Sequence, residues 1–405
     1  MINRRELLAN GATLAAMAGL GTWPKLAFGA GDERFLVFIR LIGGWDITLS
    51  SDPWLREQRP DASDMFIEYR HDELLNEGDI YLGPAASPIL KHARDITILN
   101  GVISSESDNG HPAALNYIST GNGQGKAPDF PVEINVASGK TPYGVLTTFS
   151  LYLADRKISY TRAFDILSSR GQPDPAESLE GAVKDPRTAL ERAIEGVIAN
   201  KEITRSLREE LDELAKTGEL RDEHAIAAGF LSGASRQAQV DFYGGLDTHA
   251  NHEGAHKVSL KGLFEKVEKV FDLFKSLPYG QASLFDHTTF VIASEFARTP
   301  ALNGAKGKDH NPMTNSLIFA GAGIQKGKMI NKSLLIEAAR SATKASYHMA
   351  SPFDFVTGLA AETREGANFI WPENVVHTIA KICRADMTKF RSVPAGTLEI
   401  PGLRA

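Results

Sequence analysis

The sequence FLVFIRLIGGWD at residues 35–46 decides the fold class. Its first eight residues form a nearly continuous apolar run, which is typical of a strand buried on both faces of a parallel sheet. Gly43 and Gly44 end that run, and Trp45 and Asp46 follow directly. Because open α/β sheets bind ligands beyond the carboxyl ends of their strands, Asp46 stands where a functional acid is expected.

The same pattern recurs along the chain. Further apolar runs, which we interpret as strands, cover residues 96–103, 132–136, 289–293 and 317–320. Segments with helical periodicity separate them, and the clearest runs from about Lys257 to Leu277 with an apolar stripe that includes Val258. This alternation predicts an α/β fold with a mainly parallel, doubly wound sheet and helices on both faces.

Domain organisation follows from composition. The Gly-, Pro- and acid-rich residues 168–186 are interpreted as a surface linker, and residues 186–239 as a mostly helical insertion. We expect a single domain over residues 31–405. The lone cysteine, Cys383, permits no intramolecular disulfide and is expected in the core.

The first thirty residues have the layout of a signal peptide. Arg4 and Arg5 precede an uncharged stretch at 7–21 and small residues at 27–30. The arginine pair fits a twin-arginine signal, although an amphipathic helix with a chance arginine pair is the alternative. We therefore expect residues 1–30 to engage the twin-arginine translocation machinery and the protein to be periplasmic or extracellular. The apolar stretch is too short for a transmembrane anchor.

Composition limits the partners. The chain has 405 residues, a formal net charge of -6 and no long basic block, which argues against nucleic acid as a partner. Its 42% hydrophobic residues are enough for a sizeable core.

Residues capable of chemistry gather after the predicted strands. His111 stands before Pro112 at a predicted helix start, where its ring can face a ligand or simply pack. Asp247, His249 and His252 lie in GLDTHANHEGAH, the densest concentration of metal-ligand side chains, whereas nearby His256 is expected to be solvated beside Lys257.

Two more candidate groups follow. Glu295 and Arg298 lie in SEFARTP, where the acid could bind a cation and the guanidinium could clamp an oxyanion. An ion pair between these two residues is the structural alternative. His310 lies in the Gly-rich stretch GKDHNP, and loops of this kind commonly carry function.

Taken in order, these motifs resemble a family. GGWD, the spacing from His111 to Gly121, GLDTHANH, SEFARTP and GKDHNP resemble an uncharacterised, twin-arginine-exported bacterial family within the alkaline phosphatase and sulfatase superfamily. The resemblance spans most of residues 35–330 and implies an alkaline-phosphatase-like domain. It implies these metal ligands: Asp46, Asp247, His249 or His252, Glu295 and His310. Phe296 stands where the superfamily usually has a metal-binding histidine, and Glu295 where it has aspartate.

The resemblance also bears on catalysis. His111 lies near the position of the superfamily's hydroxyl or thiol nucleophile, and the nearest hydroxyls are those of Ser107 and Thr120. His111 is therefore expected to be a nucleophile or a ligand, or else a metal-activated water attacks directly. Arg298 would offset charge on the transferred group.

Two functions are compatible with these residues. One is an exported, metal-dependent hydrolase of phosphate, sulfate or related anionic esters, acting on a small ester or a polysaccharide. The other is a catalytically silent periplasmic or cell-surface binding protein on the same fold. The expected cofactor is a divalent ion: zinc, manganese or iron for mixed nitrogen and oxygen ligands, or calcium if the histidines lie outside the coordination sphere.

Overall fold

The computed structural model describes most of the chain apart from several segments. The described residues are 33–55, 69–105, 110–124, 127–139, 141, 144–149, 151–154, 160–162, 222–231, 233, 235–337, 346–363 and 365–405. The predicted signal peptide, the linker at 168–186 and most of the predicted helical insertion lie outside them.

Eighteen strands occur in the described residues. The first nine are β1 Phe35–Ile42, β2 Leu75–Glu77, β3 Ile80–Leu82, β4 Ile96–Leu99, β5 Val145–Thr147, β6 Tyr160–Arg162, β7 Gln237–Tyr243, β8 Pro278–Tyr279 and β9 Ala282–Ser283. The others are β10 Thr288–Ala293, β11 Ala297–Arg298, β12 His310–Asn311, β13 Leu317–Gly321, β14 Lys328–Ile330, β15 Ser333–Glu337, β16 Ser346–Ala350, β17 Phe353–Asp354 and β18 Leu359–Ala360.

Eight of these strands form one sheet in the order β14-β4-β13-β10-β1-β7-β5-β6. Every neighbouring pair is parallel except the two that involve β13, which runs antiparallel to β10 and to β4. The sheet is therefore mainly parallel, as predicted, and β1 lies between β10 and β7.

The described α-helices are α1 Gly110–Thr120, α2 Phe130–Ser138, α3 Asp222–Leu231, α4 His252–Ser276, α5 Leu284–His287 and α6 Pro372–Ile382. Short 3-10 helices cover Ile47–Leu49, His71–Glu73 and Met387–Lys389, and a longer one covers Pro84–Asp95. None of the described helices combines the length and apolarity needed to cross a membrane.

Helices cover both faces of the sheet because β1 is apolar on both sides. Phe35, Val37 and other odd-numbered residues of β1 share a core with α3, α4, α5 and the 3-10 helix Pro84–Asp95. Leu36 and Phe38 point the other way, into a core with α1, α2 and α6. This period-two alternation between two buried cores explains the continuous apolar run.

Some predicted elements are confirmed and others are wrong. The strands predicted at 289–293 and 317–320 are present, whereas the one at 96–103 ends at Leu99. Residues 132–136 are not a strand but the middle of α2. Pro131 suits the first turn of that helix, and a short apolar run buried on all sides cannot be assigned by periodicity alone.

Two other boundaries differ. The helix predicted from Lys257 begins earlier, at His252, and Val258 is 72% exposed instead of lying in the buried stripe. At the end of the predicted insertion, residues 237–239 already belong to β7, which pairs with β1. Cys383 is buried, as expected.

Candidate metal centre

Three adjacent parallel strands deliver acidic side chains to one edge of the sheet. Asp46 follows β1, Asp247 follows β7 and Glu295 follows β10. Since β1 lies between the other two and all three are parallel, their carboxyl ends coincide.

Two histidines reach this edge from other elements. His111 is the second residue of α1. His310 lies in β12, which pairs with β11 so that His310 stands opposite Arg298. His249 belongs to the loop after β7, together with Asp247.

Four side chains converge here into a group that could hold a metal ion. One ligand atom from each of His111, Asp247, His249 and His310 lies within 4.8 Å of the others. Oδ1 of Asp247 is 3.3 Å from Nε2 of His111 and 3.2 Å from Nε2 of His249. Nε2 of His249 is 3.0 Å from Nε2 of His310, so these nitrogens share either a proton or a cation.

Carboxylates fix the orientation of two of these rings. Nδ1 of His111 lies 2.6 Å from Oε1 of Glu295, and Nδ1 of His249 lies 2.8 Å from Oδ1 of Asp309. A carboxylate accepts a hydrogen bond from each Nδ1–H, which leaves the lone pair of the neutral ring on Nε2. Both Nε2 atoms then face Asp247, the arrangement by which carboxylates orient metal-binding histidines.

The charges around the group favour a cation. Burial raises the pKa of Glu295, but hydrogen bonds from His111 and Ser294 outweigh this, and the carboxyl titrates below its usual range. Burial likewise raises the pKa of Asp247, and the hydrogen bond from Arg298 outweighs it. The hydrogen bond to Glu295 also raises the pKa of His111. When the imidazoles are neutral, as metal ligands must be, Asp247, Glu295 and Asp309 carry three negative charges against the one positive charge of Arg298, a net charge of about −2.

Three of the separations between ligand atoms fit a single metal ion. In a tetrahedral zinc site with bonds of about 2.0–2.1 Å, neighbouring ligand atoms lie roughly 3.3–3.4 Å apart, and octahedral ions bring them slightly closer. Three of the six separations among the ligand atoms, 3.0, 3.2 and 3.3 Å, lie in or just below this range, and all six are within 4.8 Å. Three imidazoles and one carboxylate suit zinc, manganese or iron better than calcium.

The ring of Phe296 packs against the buried side of this four-residue group. Its ring centroid lies 4.9 Å from that of His111 and 4.4 Å from that of His310. A Cβ on Gly44, whose φ is +74°, would collide with the Phe296 ring. Gly44 is therefore required both by its left-handed backbone and by the close approach of Phe296.

Every guanidinium nitrogen of Arg298 donates a hydrogen bond to another group of the protein. Nε donates to the carbonyl of Gly44, Nη2 donates to the carbonyl of Gly43 and to Asp247 Oδ1 (2.7 Å), and Nη1 donates to the carbonyl of Lys308. The side chain is fully buried. The predicted bidentate clamp on an oxyanion would require these bonds to break, and the bond to Asp247 holds that carboxylate in place.

Asp46 and His252 lie in a second, buried cluster outside the group of four. The Asp46 backbone N–H donates to His256 Nε2, so His256 carries its proton on Nδ1 and donates it to Thr248. The Thr248 hydroxyl can then donate to His252 Nδ1, and His252 Nε2–H to Asp46 Oδ2. In this closed ring, His252 Nε2 carries a proton and is not available as a metal ligand.

Of the six predicted ligands, the structure thus brings Asp247, His249 and His310 together, with Glu295 supporting His111. His111 joins the group as a potential ligand. His256 is fully buried, so the expectation that it is solvated is wrong. Ser107 lies outside the described residues, and Thr120, nine residues after His111 in α1, is about 13 Å further along the helix axis.

Sequence reasoning assigned no role to Asp309 and Lys308. Asp309 orients His249, and Lys308 forms an ion pair with Asp46 at 2.6 Å. Both lie in GKDHNP, where a charged pair beside a glycine is typical of a solvated turn. The position of Asp309 next to His310 was the available signal.

Comparisons with known proteins bear on the family and the fold. Residues 169–350, less than half of the chain, match a family model described as a protein of unknown function (DUF1501). This agrees with the resemblance to an uncharacterised family over the part matched, which contains most of the predicted ligands. No curated protein matches the chain.

Several solved structures are distantly similar. Ps i-CgsB in complex with k-i-k-neocarrahexaose is 10% identical, with 89% of this chain and 75% of that chain covered and a TM-score of 0.36. A Bacteroides thetaiotaomicron protein of a genetic locus for glycosaminoglycan metabolism is 9% identical, with coverages of 90% and 74% and a TM-score of 0.35. The C-terminal periplasmic domain of EcEptC from Escherichia coli is 10% identical, with coverages of 91% and 88% and a TM-score of 0.35. Such low scores leave the function to be argued from the site residues.

Proposed function

We propose that this protein is an exported, metal-dependent hydrolase of phosphate, sulfate or related anionic esters with an alkaline-phosphatase-like, doubly wound fold. One observation carries the proposal: four ligand atoms converge at the carboxyl edge of the sheet, and buried or neighbouring carboxylates orient two of the imidazoles. Export by the twin-arginine route, which suits loading of a metal before transport, remains part of the proposal.

The residues of the centre would have two kinds of role, namely to bind the ion and to orient its ligands. His111, Asp247, His249 and His310 would hold one divalent ion, which when bound would polarise an ester oxygen and lower the pKa of a bound water. Glu295 and Asp309 hold the Nδ1 protons of His111 and His249, so both Nε2 lone pairs stay directed at the ion. Arg298 fixes one oxygen of Asp247 and offsets its charge.

The centre is open on one side. The side chains of Asp247 and His249 are 53% and 45% exposed, whereas Glu295 is fully buried. A substrate would therefore approach over Asp247 and His249, away from Phe296. A catalytically silent binding protein is the second candidate, favoured by the bonding of every Arg298 nitrogen and by the distance of Thr120 from the group.

The first experiment is elemental analysis of protein purified without chelator. Native protein is compared with the Asp247→Ala, His310→Ala double variant and with Glu265→Gln, an exposed change on α4. We expect one ion per chain in the native and control proteins and none in the double variant. Turnover of aryl phosphates or sulfates by metal-loaded native protein alone would support hydrolysis. Stoichiometric metal without turnover of any ester would favour the binding protein.

A further inference from the structure

We propose that the ammonium group of Lys308 is a built-in cation that occupies the position of a second metal ion, so that the centre holds one divalent ion. The inference rests on the proposed function for the first ion, but it concerns the separate cluster around Asp46.

The surroundings of Lys308 are those of a cation pocket. Its Nζ lies 2.6 Å from Asp46 Oδ2, to which His252 Nε2 is also hydrogen bonded at 3.0 Å. Asp46, His252 and Lys308 are all fully buried. The other oxygen of Asp46 accepts hydrogen bonds from the backbone and hydroxyl of Thr48, so Lys308 supplies the positive charge that a buried carboxylate requires.

The backbone of Lys308 joins this pocket to the metal centre. Its N–H donates to the carbonyl of Thr248, between Asp247 and His249, and its carbonyl accepts from Arg298. Lys308 also directly precedes Asp309 and His310. The backbone of Lys308 thus joins the two segments that carry three of the four potential ligands, and its ammonium group ties them to Asp46.

Removal of the ammonium would leave groups that bind metal ions. The pocket would contain the Asp46 carboxylate, the His252 imidazole and space for water where the lysine stem had been. His252 would offer Nε2 if its proton moved to Nδ1, and the Thr248 hydroxyl could then turn to the carbonyl of Leu246, 3.4 Å away. Mixed oxygen and nitrogen ligands of this kind bind manganese or zinc.

The test compares metal content and unfolding temperature in four proteins: wild type, Lys308→Ala, Lys308→Ala with Asp46→Asn, and the exposed control Lys261→Ala. Each is refolded with manganese or zinc and dialysed. We expect the Lys308→Ala protein to hold one more ion per chain than wild type, and the double variant and the control to gain none.

n-Propylammonium is the second probe, because it replaces the atoms that Lys308→Ala removes. Without added cations, we expect Lys308→Ala to lower Tm by on the order of 5–10 °C, and propylammonium to recover most of this loss unless Asp46 is also changed. Should Lys308→Ala not fold alone, its refolding yield with and without propylammonium decides in the same way.

Two results would overturn the inference: a Lys308→Ala protein that gains neither an ion nor stability from propylammonium, or a wild type that already holds two ions. A wild type without metal whose Lys308→Ala variant holds one ion would contradict the proposed function, including the first ion, and support the role of Lys308 as a built-in cation. The failures of the two proposals are therefore distinguishable.

Discussion

The carboxylates behind the histidines offer a test of the centre that leaves every ligand in place. Glu295→Gln and Asp309→Asn each replace a charged acceptor of an Nδ1 proton with a neutral one of the same shape. In the Glu295→Gln variant, the new amide oxygen can still accept from His111 and Gly43. The new amide nitrogen can donate to Ser294, whose hydroxyl bonds to the carbonyl of Leu41. The substitutions therefore remove mainly charge.

Burial determines the size of each effect. Outer carboxylates of metal-binding histidines contribute about 10–100-fold in metal affinity, or roughly 1.4–2.7 kcal/mol. Glu295 is fully buried and lies 2.6 Å from His111, so its charge acts with little screening by water. Asp309 and His249 are about half exposed, and water screens their interaction. We expect about 100-fold weaker binding for Glu295→Gln and about 10-fold for Asp309→Asn.

The assay is competition for zinc or manganese against a chelator of known affinity, with the exposed Glu265→Gln as the control for both variants. The reasoning is refuted if either variant binds metal as tightly as wild type, or if Asp309→Asn weakens binding more than Glu295→Gln. The second result would mean that burial does not set the strength of these carboxylate–imidazole pairs.

Three further predictions follow from other parts of the molecule. Burial raises the pKa of Asp52 to about 6 against its usual 3.8, so the folded state retains a proton that the unfolded state releases, and stability falls by roughly 3 kcal/mol as pH rises from 4 to 6. In urea unfolding, the Asp52→Asn variant should have a free energy of unfolding higher than wild type by up to this amount at pH 7.5 and equal to wild type at pH 4. The exposed control Asp79→Asn should leave the free energy of unfolding unchanged at both pH values. Gly44→Ala should lower Tm and metal content because its methyl group meets Phe296, and adding Phe296→Leu should restore part of both. An unchanged Gly44→Ala protein would exclude that clash. Burial raises the pKa of the Cys383 thiol to about 12, so Ellman's reagent should label it only after unfolding, and rapid labelling of native protein would contradict its burial.

The sequence predicted the strands best where an apolar run ends at glycine or a polar residue. Residues 35–42 and 289–293 are short, continuous apolar runs because both of their faces are buried. The failure at 132–136 has the same origin, because a helix buried on all sides, with Pro131 in its first turn, has the same composition. Short apolar runs in the sequence therefore predict burial more reliably than they predict whether the backbone is a strand or a helix.

The site was predicted less completely because it depends on the order of strands. Asp247 and His249 were found from their density in one loop, but their meeting with His111 requires β1 to lie between β7 and β10. The same limitation applies to Asp46, which follows its strand as predicted and forms an ion pair with Lys308 outside the group of four. The motif GKDHNP does not indicate whether Lys308 is solvated or neutralises a buried acid, because its partner Asp46 lies some 260 residues earlier in the sequence.

The exposure of the centre is the strongest argument for chemistry over a structural ion. Structural metal sites surround their ion with protein ligands and exclude water, whereas catalytic sites leave a coordination position open. Here Phe296 and Glu295 close one side, while Asp247 and His249 are about half exposed on the other. An ion held by these residues would meet solvent, and the binding of Arg298 to Asp247 would keep that opening in place whether or not a substrate is present.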